Sequence, residues 1–336
     1  DHRFQFVPSL AVDIPTPEDN GDGTWRIKVE MVEDAYWSDG QSITAHDVVF
    51  THNACKDLAL TWYWPSFCTP DGVEIHAQAL DDYTVEYSYL DQPPNIRTWQ
   101  FGVAMAPIMP ARYWEEVVTQ AYEIIQNVQM PTVERPANCD LNEVPNDNEA
   151  LCNAWKQVDE AYDLAHTTLF TADTTSQPVA GGYQLLEWQP GKRIRLTPND
   201  FYFFKDAVFV EFEDGSWRRM LPDGQELTLY GPAESEESLR YQDGPYNPEI
   251  IFEIYGSQEA AFGALIAGEV DYVLNPIGVP RKFKELVASE PDIQTYLNAD
   301  YNMFYLAFNM RKYPMSTYEF RQVFDILIDR ELVIRE

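Results

Sequence analysis

Apolar and polar residues alternate from Thr24 to Met31, with Trp25, Ile27, Val29 and Met31 on one side and Arg26, Lys28 and Glu30 on the other. A period of two predicts a strand with one buried face. Ile75 to Leu80 and Tyr83 to Tyr89, either side of Asp81-Asp82, predict two further strands. Residues 1–22 carry no such period, and Pro8, Pro15, Pro17 and the Asn20-Gly21-Asp22-Gly23 cluster predict irregular chain there. Between the first two strands lies Trp37 to Thr51, WSDGQSITAHDVVFT. Its Asp39-Gly40 pair suits a tight turn. Thr44 is then the expected N-cap of a helix over 45–56, and Asp47, three residues on, can reach back to the free amides and meets the positive end of the helix dipole. Val48, Val49 and Phe50 are expected as the first buried turn.

Helical spacing governs the middle of the chain. From Pro110, which is preorganised for a first turn, Tyr113, Trp114, Val117, Val118, Ala121, Ile124, Ile125 and Val128 form one apolar stripe. A linker rich in Pro, Asn and Asp runs from 131 to 148. A second helix follows from Glu149, with Leu151, Ala154, Trp155, Val158, Tyr162, Ala165 and Leu169 inward. At Gln177 short strands return. Two alternating runs meet at Pro190-Gly191, which predicts a hairpin, and Val208 to Tyr230 predicts strands around Asp214-Gly215 and Asp223-Gly224. EIIFEIY, a helix capped by Ser257 with Ala261, Phe262, Leu265 and Ile266 inward, and EVDYVLN predict a parallel pair with a right-handed crossover. In the last helix Ser316 and Glu319 read as a capping box. Phe320, Val323, Phe324, Leu327 and Ile328 form its apolar face.

Composition narrows the partners. The 336 residues suffice for about two domains. Fifty-five acidic against twenty-three basic residues give a net charge of −32, spread along the chain. Such a surface repels phosphate backbones and anionic headgroups, so neither nucleic acid nor a membrane surface is an expected partner. The charge is otherwise that of a solvated acidic surface. Cys55 and Cys68 are thirteen residues apart, as are Cys139 and Cys152. Two local disulfides are preferred over four free thiols, because Cys68 and Cys139 sit in polar, loop-like surroundings. The C-x-x-C pairs of a zinc site are absent. So are the phosphate loop, the dinucleotide fingerprint, H-E-x-x-H and G-x-S-x-G. His46 and His52 lie about 240° apart around a helix and would not share a metal. No catalytic residue, metal or cofactor is expected, although a carboxylate pair serving a glycosidase could hide among so many acids.

The segment from Gly23 to Thr51, GTWRIKVEMVEDAYWSDGQSITAHDVVFT, resembles the signature of the family 5 extracellular solute-binding proteins, the dipeptide and oligopeptide receptors of ABC importers. ALDDYTVEYSY, QPVAGGYQLLEWQPGKRIRLTPNDFYF, the ALIAGEVD segment, and Asn309, Pro314, Arg321, Ile328, Asp329 and Arg330 resemble its later blocks in order. Gly181-Gly182-Tyr183 departs from the usual spacing, Val323 and Phe324 replace small residues, and 208–230 reads as an inserted meander. The resemblance implies an α/β, two-lobed, type II periplasmic-binding-protein-like architecture with mixed sheets flanked by helices. Residues 1–176 would form a smaller lobe with a helical insertion, 177–298 the main domain, and 299–336 the start of the opposing lobe. It implies a monomeric receptor, periplasmic or extracellular and free or lipid-anchored, that binds a peptide or similar solute by hinge closure and hands it to a permease. Trp62, Tyr63 and Trp64 stand where the family places an aromatic residue against its solute. An extracellular hydrolase of glycans or peptides and a solute-sensing interaction protein remain as alternatives. Beginning at Asp1 without methionine and ending in a helical pattern, the chain reads as incomplete at both termini. Its affinity is therefore expected to be at least about a hundredfold below that of the complete protein, roughly 2.7 kcal/mol.

Overall fold

The computed structural model describes residues 5–90, 92–136, 139, 148–274, 279–295 and 305–335. The chain divides into two compact units, Asp1–Phe252 and Glu253–Glu336. In the first, strands β1 (Pro17–Asp19), β2 (Trp25–Glu30), β3 (Ile75–Asp81) and β4 (Thr84–Tyr89) form an antiparallel sheet in the order β1-β2-β4-β3. The alternation along β2 places Ile27 and then Met31 in the core, while Arg26, Lys28 and Glu30 face solvent. Strand β1 arises in the stretch expected to be irregular. It is an exposed edge of three residues, held by its ladder to β2 and carrying no apolar period of its own.

Helix α1 (Ala45–Asp57) packs on this sheet. Thr44 is its N-cap, as expected. Its buried side is not: Asp47, Thr51 and His52 are buried, whereas Val48, Val49 and Phe50 are only half-buried. Hydrogen bonds account for the inversion. Thr51 Oγ donates to the Asp47 carbonyl (2.8 Å) and accepts from the Met109 amide (2.8 Å), and the His52 ring bonds the Ile75 carbonyl (3.0 Å). Burial is tolerable for such groups only when partners replace water.

Next come α2 (Pro65–Cys68) and α3 (Ile96–Phe101). Gly102 ends α3 where a Cβ would lie 2.1 Å from the Ser66 carbonyl oxygen, so only glycine lets these two turns meet. Helices α4 (Ala111–Gln126) and α5 (Glu149–Phe170) pack on each other, burying Trp114, Val118, Ala121, Ala165 and Leu169 with Leu58 and the Cys55–Cys68 disulfide. Cys139 and Cys152 form the second bridge. Much of the expected 131–148 linker lies outside the described residues.

Strands β5 (Tyr183–Gln189) and β6 (Arg193–Pro198) make the expected hairpin, with Gly191 at φ 71° in its turn. The meander appears as β7 (Val208–Phe212), β8 (Trp217–Met220) and β9 (Glu226–Leu229). A fourth strand, β10 (Glu237–Gln242), adds to β7, giving the order β10-β7-β8-β9. It is exposed throughout, and no apolar alternation announced it. Strand β11 (Ile250–Glu253) joins the hairpin sheet beside β6.

In the second unit, Ser257 caps α6 (Gln258–Ile266) by accepting from the Ala260 amide (3.2 Å). Phe262 stacks on Phe283 of α7 (Arg281–Ala288) at 4.5 Å. The expected second strand of the crossover is not formed within the described residues 270–274. None of the described residues pairs with them, Tyr272 is 75% exposed, and a strand without a ladder has no hydrogen bonds to define it. Helix α8 (Tyr318–Leu327) starts one residue later than expected, with Thr317 at the cap. The Ser316–Glu319 box does not form, and the Thr317 hydroxyl instead turns back to the Pro314 carbonyl (2.7 Å). None of the helix's residues is fully buried, and Phe324 packs edge-on against Phe308 at 5.2 Å and Phe320 at 5.3 Å. Helix α9 (Arg330–Arg335) follows. No helix of the described residues is long and apolar enough to cross a membrane.

His52 makes stability depend on pH. Burial lowers its pKa below 6.5, outweighing the opposing pull of the Ile75 carbonyl. The unfolded chain therefore takes up a proton that the folded chain resists, so this contribution is complete above the unfolded pKa and shrinks as pH falls through it. Urea midpoints of wild type and His52→Gln should converge between neutral pH and pH about 5, the shared titration of the carboxylates cancelling in the difference. A constant gap would show that His52 is not held neutral.

Candidate functional site

Signature residues build one wall of a cavity of about 470 Å³ in the first unit. Trp37 and Ile43 come from the segment before α1, Ile108 from the chain before α4, Val179 from the strand entry, and Tyr202 and Phe203 from the loop after β6. The lining is mainly apolar and aromatic.

Three sets of hydrogen bonds hold these walls together. Asp47, 5% exposed, accepts from the Thr44 amide (2.9 Å), the Trp37 indole (3.3 Å) and the Ala111 amide (2.8 Å). One carboxylate thus fixes the turn, the helix start and the entry to α4. Ser38 and Val179 bond reciprocally, the Ser38 amide to the Val179 carbonyl (2.8 Å) and the Val179 amide to Ser38 Oγ (3.1 Å). Asn199, fully buried, donates to the Gly181 carbonyl (2.8 Å) and accepts from the Phe201 amide (3.0 Å), folding the aromatic run back over the hairpin entry. Gly40, at φ 80°, lies so near the Phe201 ring that a Cβ would stand 3.1 Å from it.

Charges at the edge are paired. Partial burial acts to raise the Asp39 carboxyl, but hydrogen bonds from Arg112 and the Gln41 amide outweigh it and hold the group below its ordinary value. Burial and then the hydrogen bond to Asp243 (2.8 Å) raise the Tyr202 phenol. Among the described residues no group of three His, Cys, Asp or Glu side chains could hold a metal.

Trp62, Tyr63 and Trp64 occupy the bend between α1 and α2 and do not line this cavity. Trp62, at φ 67°, is 88% exposed and Tyr63 79% exposed. Trp64 is half-buried against the Cys55–Cys68 bridge. The Cys55–Cys68 bridge closes the loop that presents the first two. In sequence Tyr202 and Phe203 read only as the end of the strand–turn–strand motif. The run of four aromatics at 201–204 is the signal that marks them.

The family model described as bacterial extracellular solute-binding proteins, family 5 Middle, matches residues 5–336. The chain belongs to this family. Solved structures share its fold. MoaA from A. tumefaciens R10, in complex with mannopinic acid, matches with TM-score 0.54 at 15% identity over 98% of this chain and 47% of its own. NikZ from Campylobacter jejuni, in complex with Ni(L-His), gives 0.53 at 13% over 100% and 48%. A mannohexaose-bound periplasmic oligopeptide-binding protein from Thermotoga maritima gives 0.50 at 18% over 95% and 42%. The type II periplasmic-binding-protein fold class is thereby established, and the chain spans less than half the length of each of these structures. No curated protein sequence matches.

Removing the Asp47 carboxylate would leave two backbone amides and an indole N–H without their acceptor. Asp47→Ala should cost about 3 kcal/mol or more, and Asp47→Asn, which keeps one acceptor oxygen, distinctly less. Urea unfolding checks both. Equal losses for the two variants would show that the donors are satisfied elsewhere.

Proposed function

We propose that this family 5 chain forms the solute-capturing part of an extracytoplasmic receptor for an ABC importer. It would hold a peptide or similar small solute in a cleft and close over it by a hinge. The cavity built by the signature segment carries this reading. Its volume of about 470 Å³ lies within the range of small-molecule sites, and an apolar, aromatic lining with few polar groups is what such sites use. The reading treats 1–176 as the smaller lobe, 177–298 as the main domain and 299–336 as the beginning of the opposing lobe. Exposed Trp62 and Tyr63, with Trp64 behind them, would add an aromatic surface for side chains or sugar faces. Monomeric action, delivery to a permease, and residence in the periplasm or outside the cell, free or lipid-anchored, belong to the same proposal. Binding proceeds without turnover.

The solute class is open because similarly folded relatives hold mannopinic acid, a nickel–histidine complex and mannohexaose. A thermal-shift screen of the complete protein against peptides and oligosaccharides selects a ligand for calorimetry. Phe203→Leu, which removes an aromatic face but keeps apolar volume, and Tyr63→Ala should each weaken binding by about tenfold. Mass spectrometry should find the ligand intact. Unchanged affinity in both variants would sink the site, and loss of more than one equivalent of ligand would replace binding with catalysis.

A further inference from the structure

A second cavity, of about 790 Å³, opens where the loop after β2 and the β3–β4 turn face the β8–β9 hairpin. It shares no lining residue with the first cavity. Its rim is acidic: Glu30, Glu33, Asp34, Asp81 and Asp82 are all exposed along it. Some of these have partners. Glu30 bonds Lys28 (2.9 Å), Asp81 accepts from the Tyr83 amide (2.9 Å), and Asp82 lies 3.6 Å from His46.

Arg219 of β8 also lines the cavity, and it is 5% exposed. One nitrogen, Nη1, donates to the Pro8 carbonyl (2.9 Å), and the guanidinium lies over the Phe204 ring at 5.0 Å. Nε and Nη2 have no acceptor among the described residues, and no carboxylate there forms an ion pair with the group. Burial accordingly lowers its pKa. A buried cation without a counter-charge is costly, and a packed apolar side chain would fill the same strand position more cheaply. The planar fork that remains open suits a carboxylate, which it can hold through two parallel hydrogen bonds.

A simple anion must pass the acidic rim to get there. At an effective dielectric constant of about 20, one carboxylate about 8 Å away opposes it by roughly 2 kcal/mol before salt screening. A ligand that carries its own cation turns this repulsion into attraction. We propose that the cavity binds a small zwitterion of the amino-acid or short-peptide class, its carboxylate on the open side of Arg219 and its ammonium at Glu33 and Asp34. This site is additional to the solute cavity and does not depend on that reading.

Glycylglycine, acetate and ethylamine, titrated into the full chain at neutral pH and low salt, test it. Calorimetry and the arginine Nε–H resonances are the readouts. Glycylglycine should saturate and shift the Arg219 resonance, while acetate and ethylamine bind at least about tenfold more weakly. Arg219→Gln and the exposed-rim double variant Glu33→Gln/Asp34→Asn, none of whose residues lines the solute cavity, should each weaken glycylglycine by at least about tenfold. If Arg219→Gln fails to fold, the rim variant decides alone. Acetate binding as tightly as glycylglycine, indifference to the rim variant, or no saturation below about 20 mM would each overturn the assignment.

Discussion

The buried carboxylate of Asp47 is the constraint on which the first unit depends. It gathers donors from a turn ten residues upstream, from its own helix start, and from a backbone amide sixty-four residues downstream. Each donor alone is an ordinary hydrogen bond. Together they locate three chain segments with respect to one atom group, and a buried charge is stable only while all of that solvation is supplied by the protein. The Thr51 hydroxyl and the His52 ring extend the same arrangement along α1 to Met109 and Ile75. The helix is therefore fixed by directional bonds on the side where apolar packing alone would allow it to slide.

Asn199 does similar work at the other end of the cavity. Its amide and carbonyl bridge the hairpin entry at Gly181 and the start of the aromatic run at Phe201. Since Ser38 and Val179 join the two regions directly, the wall carrying Trp37 and the wall carrying Phe203 are positioned by backbone and short polar side chains. The aromatic rings fill a frame that other groups set.

Local signals explain what was legible in the sequence. The alternation at 25–31, the stripes of α4 and α5 and the Pro190-Gly191 hairpin need only neighbouring residues to be read. Edge strands β1 and β10 escaped because they are exposed and take their form from a partner's ladder, at β2 and β7. The polar side of α1 escaped for a different reason: its partners lie 23, 58 and 64 residues away, beyond any helical period. Residues 270–274 differ in the opposite sense, with an apolar pattern but no strand partner among the described residues. The cavity itself joins segments from residues 9 to 204, so its aromatic run at 201–204 could be seen in sequence but not placed.

The signature segment identifies the family through its interior, and this bears on specificity. Asp47, Thr51, Ser38 and the Trp37 indole N–H direct their hydrogen bonds at other parts of the same chain. A group committed to the fold cannot also choose a solute without breaking the contact that positions it. The ring of Phe203 and the exposed Trp62 and Tyr63 lie outside this hydrogen-bonded frame. Side chains that line the cavity without bonding to that frame can be changed while its hydrogen bonds stay intact.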